Sequence, residues 1–136
     1  MKKLLWLDDY RDPFGDFSEW LMFSPIGQDV EVHWVKNYEE FTKWIYRNGL
    51  PDGICFDHDL DDQHYTPEEL WTDYAKSKQY QEAQKYTEKT GYDCAKFLTE
   101  YCIDYSKELP KWYSHSANPV GRDNIDRLLI NFLRRV

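Results

Sequence analysis

Short apolar runs alternate with amphipathic stretches along this chain. Strands are predicted over residues 4–7, 30–35, 54–56 and 111–114. The first run, Leu4-Leu5-Trp6-Leu7, is apolar throughout, as is typical of a strand buried on both faces of a sheet. The second run alternates and places Glu31 and His33 on one face, which predicts an edge strand.

Helices are predicted between the strands, where apolar residues recur three or four positions apart. Asn37 is expected to cap a helix over residues 38–47. Later helices are predicted to open at Gly91 and to run over 120–135, and a sparse pattern predicts a short helix over 14–22. Because strands and helices alternate, the chain is expected to form an α/β fold, with a parallel sheet covered by helices on both faces.

Residues 60–90 interrupt this alternation. The stretch is polar and tyrosine-rich, and Thr66-Pro67 resembles a helix N-terminus. We interpret it as a partly helical insertion in a single domain that spans residues 1–136. Two roles stay open for the insertion: a cover over a site, or a solvated excursion with no role.

Composition excludes several classes of protein. The 136 residues include 17 basic and 25 acidic side chains, and the resulting net charge of −8 does not suit a duplex DNA binder. No apolar run approaches the ~20 residues of a membrane span, and the first run is too short for a signal peptide, so a cytoplasmic location is expected. Cys55, Cys94 and Cys102 lie in apolar patterns and are expected to be core residues.

Three of the four predicted strands end in polar clusters. The clusters are Asp8-Asp9 with Arg11, Asp57-His58-Asp59, and His115-Ser116-Ala117-Asn118. Parallel strands place their carboxyl ends along one edge of a sheet, so the clusters are expected to meet there. Four carboxylates would repel one another, and a divalent cation, Mg²⁺ or Mn²⁺, would relieve that repulsion. The histidines extend the choice to Fe²⁺ or Zn²⁺.

Each cluster also has a purely structural interpretation. A single Asp pair after a strand is often a helix cap or a solvated turn, and Ser116 and Asn118 could simply cap the last helix. His58 and His115 suit general acid–base chemistry, because an unperturbed imidazole has a pKa of about 6.5. His33 and His64 lie outside the clusters and are assigned no role.

The acidic positions resemble the receiver domain of two-component response regulators. In that family an acidic pair, here Asp8-Asp9, and an aspartate after the third strand, here Asp57, hold Mg²⁺. That aspartate also accepts a phosphoryl group, which a residue matched here by Ser116 senses. The resemblance implies a flavodoxin-like open sheet of about four strands in the order 2-1-3-4. The fifth strand of that family and its lysine have no counterpart here, and His58-Asp59 departs from its usual pattern.

A more specific resemblance is to the cyclic-phosphate processing receiver domain, a divergent receiver-like family common in bacteriophage genomes. It rests on Leu5-Trp6-Leu7-Asp8-Asp9-x-Arg11-x-Pro13, Trp34-Val35-Lys36-Asn37, Gly49-Leu50-Pro51-Asp52, Phe56-Asp57-His58-Asp59-Leu60, Thr90-Gly91-Tyr92-Asp93-Cys94-Ala95 and His115-Ser116-Ala117-Asn118-Pro119-Val120-Gly121. These motifs span nearly the whole chain. The resemblance implies processing of cyclic phosphates on nucleotides or RNA ends, and it is compatible with a phage origin.

The resulting hypothesis is a metal-dependent phosphoesterase that acts on a cyclic phosphate or a cyclic nucleotide. The expected metal ligands are Asp8, Asp9, Asp57 and Asp59, the expected catalytic groups are His58, His115 and Asp57, and the expected phosphate-binding residues are Arg11, Ser116 and Asn118. The expected partner is a small phosphorylated ligand or an RNA end that carries a cyclic phosphate.

Two other functions stay open at this stage. The protein could bind and sequester a nucleotide without turnover, or it could be a divergent signalling module in which Asp57 takes a phosphoryl group. An exposed edge strand and an excess of aromatic residues (6 Trp, 11 Tyr and 7 Phe) leave a homodimer open as well.

Overall fold

Four parallel strands form the frame of the fold. The computed structural model describes residues 1–15, 20–60, 74–75 and 89–134. Its elements, in chain order, are β1 (Lys2–Leu7), α1 (Trp20–Phe23), β2 (Val30–Val35), α2 (Tyr38–Asn48), β3 (Gly53–Phe56), α3 (Gly91–Asp104), β4 (Lys111–Ser114) and α4 (Pro119–Leu133). Within these described residues, no helix has the length and apolar character that crossing a membrane requires.

The strands lie in the order β2-β1-β3-β4, and every neighbouring pair is parallel. Leu7 of β1 lies beside Phe56 of β3, and Phe56 lies beside Ser114 of β4. The carboxyl ends of these three strands are therefore level, so the residues that follow them meet at one edge. The predicted order is confirmed, and the part of the chain that the structure describes adds no fifth strand to this sheet.

Helices cover the two faces of the sheet unequally. The larger core lies between one face and α2, α3 and α4, to which Phe41, Leu98 and Ile125 contribute fully buried side chains. On the opposite face Leu4 and Trp6 are covered by the short α1 and its neighbouring residues. The central strand β1 is thus buried from both sides, as its unbroken apolar pattern predicts.

Side-chain caps fix where the helices begin. The Asn37 Oδ1 atom accepts a hydrogen bond from the Glu40 amide (2.9 Å), which confirms the predicted cap of α2. Helix α3 begins with a capping box, in which the Thr90 amide donates to Asp93 Oδ2 (2.8 Å). Helix α4 begins at Pro119, one residue before its predicted start, because the fixed φ of proline suits a first helical position.

Two predictions fall partly outside the described residues. The helix predicted over 14–22 is described only as α1, while residues 13–15 form a turn and bend and residues 16–19 lie outside the description. The insertion predicted over 60–90 falls largely on residues 61–73 and 76–88, which also lie outside it. The three cysteines are buried free thiols, as predicted for core residues.

Candidate metal and phosphate site

Three buried side chains converge at the carboxyl edge of the sheet. Asp8 follows β1, Asp57 follows β3 and His115 follows β4, and they are 1%, 7% and 5% exposed. One possible ligand atom of each lies within 4.8 Å of those of the other two. Because side chains alternate along a strand, all three extend the sheet face that carries Trp6. We call Asp8, Asp57 and His115 the donor triad.

The Asp8 carboxylate is held as an anion. Its Oδ1 atom accepts hydrogen bonds from the amides of Tyr10 (2.9 Å) and Arg11 (2.8 Å), and its Oδ2 atom lies 2.9 Å from His115 Nε2. Burial raises the pKa of Asp8, but the hydrogen bonds from His115 and from the two amides outweigh burial and lower that pKa below its usual value. Asp8 is therefore ionised at neutral pH.

Stacking fixes the ring of His115. The ring lies parallel to the Trp6 indole, with centroids 4.0 Å apart and an interplanar angle of 8°. Phe23 of α1 stacks at a longer distance of 6.0 Å. A rigidly placed imidazole next to a carboxylate is a suitable nitrogen ligand for a divalent metal.

Asp57 has the opposite electrostatic environment. Burial, followed by the negative charges of Asp8, Asp59 and Asp9, raises the pKa of Asp57 to about 8. None of the hydrogen bonds between described residues reaches the Asp57 carboxylate. The positive charge of Arg11 lowers this pKa but does not outweigh burial and the three carboxylates, and a divalent cation would supply further compensating charge.

The donor set fits a divalent cation. Two carboxylates and one imidazole suit Mn²⁺, Fe²⁺ or Zn²⁺, and the carboxylates alone suit Mg²⁺. Within the described residues, the donor triad is the group in which three such side chains come this close. The burial of all three side chains would also exclude most of the water that competes for the metal.

Two glycines bring helices α3 and α4 against the end of β3. A Cβ atom on Gly91 would overlap the carbonyl oxygen of Asp57, and a Cβ atom on Gly121 would overlap the ring of His58. The Gly91 amide instead donates to the His58 carbonyl oxygen (2.8 Å). These close approaches require residues without a side chain, and they place both helix starts beside the donor triad.

A hydrogen-bonded layer joins the end of β3 to α4. The His58 Nδ1 atom lies 2.8 Å from Asp59 Oδ1, and Asn118 Nδ2 donates to the same oxygen at 3.2 Å. The Asn118 Oδ1 atom accepts from the Gly121 amide (3.0 Å), so a single side chain caps α4 and also holds Asp59. The orientation of Asp59 is thus set by two elements at once.

The site opens into a cavity of about 200 Å³. Its walls are formed by Asp8, Tyr10, Arg11, Asp57, Asp59, Ala117 and Asn118. The Arg11 Nη1 atom donates to the His115 carbonyl oxygen (3.2 Å) and lies 3.9 Å from Asp8 Oδ2, and the Arg11 side chain is 33% exposed. This guanidinium supplies a positive charge for an anionic ligand at the cavity wall.

Nearly the whole chain matches a known family. The model of the cyclic-phosphate processing receiver domain matches residues 3–131. The chain belongs to this family. Comparisons with curated proteins and with solved structures find no significant match. Every residue of the donor triad and of the cavity wall in this cyclic-phosphate processing receiver domain lies inside the matched segment.

The fold of this receiver domain brings most of the sequence-predicted site residues together. Those that line the cavity are Asp8, Arg11, Asp57, Asp59 and Asn118. His115 joins two of them in the donor triad. These residues come from the ends of three strands that are far apart in the sequence.

Three other predicted residues do not line the cavity that the described residues form. Asp9 is half-buried and near enough for its charge to raise the pKa of Asp57. His58 is buried against Gly121, behind Asp59. The Ser116 Oγ atom accepts a hydrogen bond from the Asn118 amide (3.1 Å), which supports the capping interpretation of that segment.

Sequence reasoning assigned no role to Tyr10 and Ala117, which line the cavity in this receiver domain. Tyr10 lies between Asp9 and Arg11, so its place within an acidic motif was a usable signal. Residue type gives no such signal for Ala117, whose position follows from the turn between β4 and α4.

Proposed function

We propose that this cyclic-phosphate processing receiver domain is a metal-dependent phosphoesterase that opens a cyclic phosphate. The observation that carries the proposal is the donor triad, two of whose members line the same cavity as Arg11. Metal donors and a guanidinium around one small cavity are groups that stabilise the transition state of phosphate ester hydrolysis.

Asp8, Asp57 and His115 would hold the metal, with Mg²⁺ and Mn²⁺ as the first candidates. When bound, a divalent cation polarises phosphoryl oxygens and lowers the pKa of a bound water. Asp8 is already ionised in the folded protein, whereas Asp57 has to release a proton to serve as a ligand.

Arg11 is assigned the binding of the phosphate. Its guanidinium is anchored through the His115 carbonyl oxygen, so it does not have to be ordered when the ligand arrives. The start of α4 adds the positive end of a helix dipole, and Asn118 at that start lines the cavity. Both features favour the additional negative charge of the transition state over that of the bound ester.

Asp59 is assigned the movement of the proton. Its Oδ1 atom is occupied by His58 and Asn118, and no hydrogen bond between described residues uses its Oδ2 atom. In ring opening, water adds to phosphorus, one ring P–O bond breaks, and the departing oxygen gains a proton. Asp59 Oδ2 would accept the proton from water and deliver it to the departing ring oxygen, and His58 acts as a positioning residue that orients Asp59.

The test is a hydrolysis screen of the full chain with Mg²⁺, Mn²⁺ or Zn²⁺ against 2′,3′-cyclic and 3′,5′-cyclic nucleotides, read by mass spectrometry. We expect a phosphomonoester product from the wild type and from Asp104→Asn, which changes an exposed carboxylate at the end of α3. We expect none from Asp57→Asn. Ligand retained through desalting without any product would contradict the proposal and favour a sequestering protein.

A further inference from the structure

Tyr10 combines two properties that a solvent-facing loop residue does not usually have. It is 85% exposed, which makes it the most exposed aromatic side chain among the described residues. It also forms part of the wall of the cavity at the donor triad, beside Asp8 and Arg11. An apolar ring kept in water at the mouth of a binding site is available to contact a ligand that extends out of that site.

The backbone of Tyr10 is fixed to the donor triad. Its amide donates to Asp8 Oδ1 (2.9 Å), and the next amide, that of Arg11, donates to the same atom (2.8 Å). The loop therefore holds the backbone of Tyr10 at a set distance from the phosphate-binding groups. This arrangement reduces the conformational entropy that a ligand contact would otherwise cost.

The size of the cavity indicates which part of a ligand reaches Tyr10. About 200 Å³ is below the roughly 300–1,000 Å³ of sites that enclose an entire small molecule. The cavity can hold a cyclic phosphate and part of the sugar that carries it. Any further group on the sugar has to lie at the mouth, where Tyr10 offers a flat aromatic surface.

We propose that Tyr10 stacks on the nucleobase of the substrate, so that the preferred substrates are cyclic phosphates that carry a base. The inference rests on the proposed function, because the cavity has to be the cyclic-phosphate site. A single tyrosine reads no base edges, so every base is accepted and large purine surfaces are favoured. Stacking on one aromatic ring is worth about 1–3 kcal/mol per base, which corresponds to roughly 5- to 150-fold in affinity.

The test compares two probes that differ only in the base. Adenosine 2′,3′-cyclic phosphate and 1-O-methylribose 2′,3′-cyclic phosphate are titrated by calorimetry against the full chain with Mn²⁺, and for a probe that is hydrolysed the steady-state KM takes the place of the dissociation constant. We expect the base to improve affinity about tenfold in the wild type and in Tyr10→Phe. We expect Tyr10→Ala to bind the two probes with equal affinity. Tyr46→Ala, a change at another exposed tyrosine, should preserve the difference in affinity between them.

A Tyr10→Ala variant that weakens both probes equally, or that leaves their ratio unchanged, overturns the inference. Turnover of both probes alongside such a result would leave the phosphoesterase proposal intact. If the ratio of the two affinities depends on Tyr10 but neither probe is hydrolysed, the result would support the inference and contradict the phosphoesterase proposal. If neither probe binds, both proposals are wrong. The substrate could be a free nucleotide or the end of an RNA chain, and a trinucleotide with a 2′,3′-cyclic end distinguishes these two sources. If RNA ends are the substrate, the trinucleotide should bind at least as tightly as the free nucleotide.

Discussion

Burial and the neighbouring carboxylates raise the pKa of Asp57 to about 8 in the folded, metal-free protein, from an ordinary value of 3.8. Between these two values the folded state holds a proton that the unfolded state has released. The free energy of unfolding therefore falls as the pH rises through this window, and the cost is complete above the folded pKa. The proposed metal ligand Asp57 thus destabilises the metal-free protein at high pH.

Replacing this carboxylate should stabilise the metal-free protein. Each unit of difference in pKa between the folded and unfolded states corresponds to about 1.4 kcal/mol, and relaxation around the buried group reduces the effect. We therefore expect Asp57→Asn to raise the free energy of unfolding by about 1–3 kcal/mol near pH 8.5 and to leave it almost unchanged near pH 4. Urea unfolding at both pH values in a chelator measures the difference. The exposed control Asp104→Asn should show no such pH dependence, and an equal gain at both pH values would contradict the shifted pKa.

Metal affinity should increase with pH for the same reason. Below about pH 8 the metal has to displace the proton of Asp57, so the apparent association constant should rise by up to about tenfold per pH unit and then level off. Isothermal titration with Mg²⁺ or Mn²⁺ in several buffers would measure both the affinity and the released proton. A constant affinity between pH 6 and pH 8 would show that Asp57 is not a ligand.

Helices α3 and α4 reach the site because each begins, or nearly begins, with a glycine in contact with the end of β3. At Gly91 the obstacle to a side chain is the backbone of Asp57, which cannot rotate away. Overpacking of this kind costs about 1–3 kcal/mol and displaces the backbone. The contact between element ends therefore controls the geometry of the donor triad as well as stability.

We expect Gly91→Ala to lower the free energy of unfolding by about 2 kcal/mol and to weaken metal binding through displacement of Asp57. The matched control is Gly15→Ala, because a Cβ atom there would meet only ordinary contacts with Asp12. Thermal unfolding and metal titration measure the two effects. A Gly91→Ala variant as stable as Gly15→Ala would show that α3 can move without affecting the site.

Much of the element order could be predicted from the sequence, because the spacing of apolar residues and the helix caps are local features. The strands over 30–35 and 111–114 and the cap at Asn37 are each encoded within a few residues. Helix α1 could not be placed, since the few apolar residues between 14 and 22 are also compatible with a turn, which residues 13–15 adopt. The membership of the donor triad could not be deduced either, because the distance between Asp8 and His115 depends on the register of β3 between their two strands.

At the scale of the whole molecule, the donor triad connects β1, β3 and β4, so a metal should stabilise the entire fold. A ligand present at about 100 times its dissociation constant raises the free energy of unfolding by ~2.7 kcal/mol. For a domain of this size that corresponds to an increase of roughly 8 °C in the melting temperature. We expect Mn²⁺ to raise the melting temperature of the wild type and of Asp104→Asn by this amount, and to leave that of His115→Gln nearly unchanged. Differential scanning calorimetry with and without a chelator measures the shift, and an equal rise for His115→Gln would place the metal elsewhere.

The imidazole of the donor triad comes from the last strand of the sheet, and this has a consequence for how the protein is made. While the chain is being synthesised, the two carboxylates can meet as soon as β1 and β3 have paired, well before His115 has been added. An early domain would therefore present an acidic pair to the cell without its nitrogen donor, and without the Asn118 that holds Asp59. The complete donor triad exists only when β4 has joined the edge of the sheet, so a chain can offer all three donors only after β4 has been made and has paired with β3.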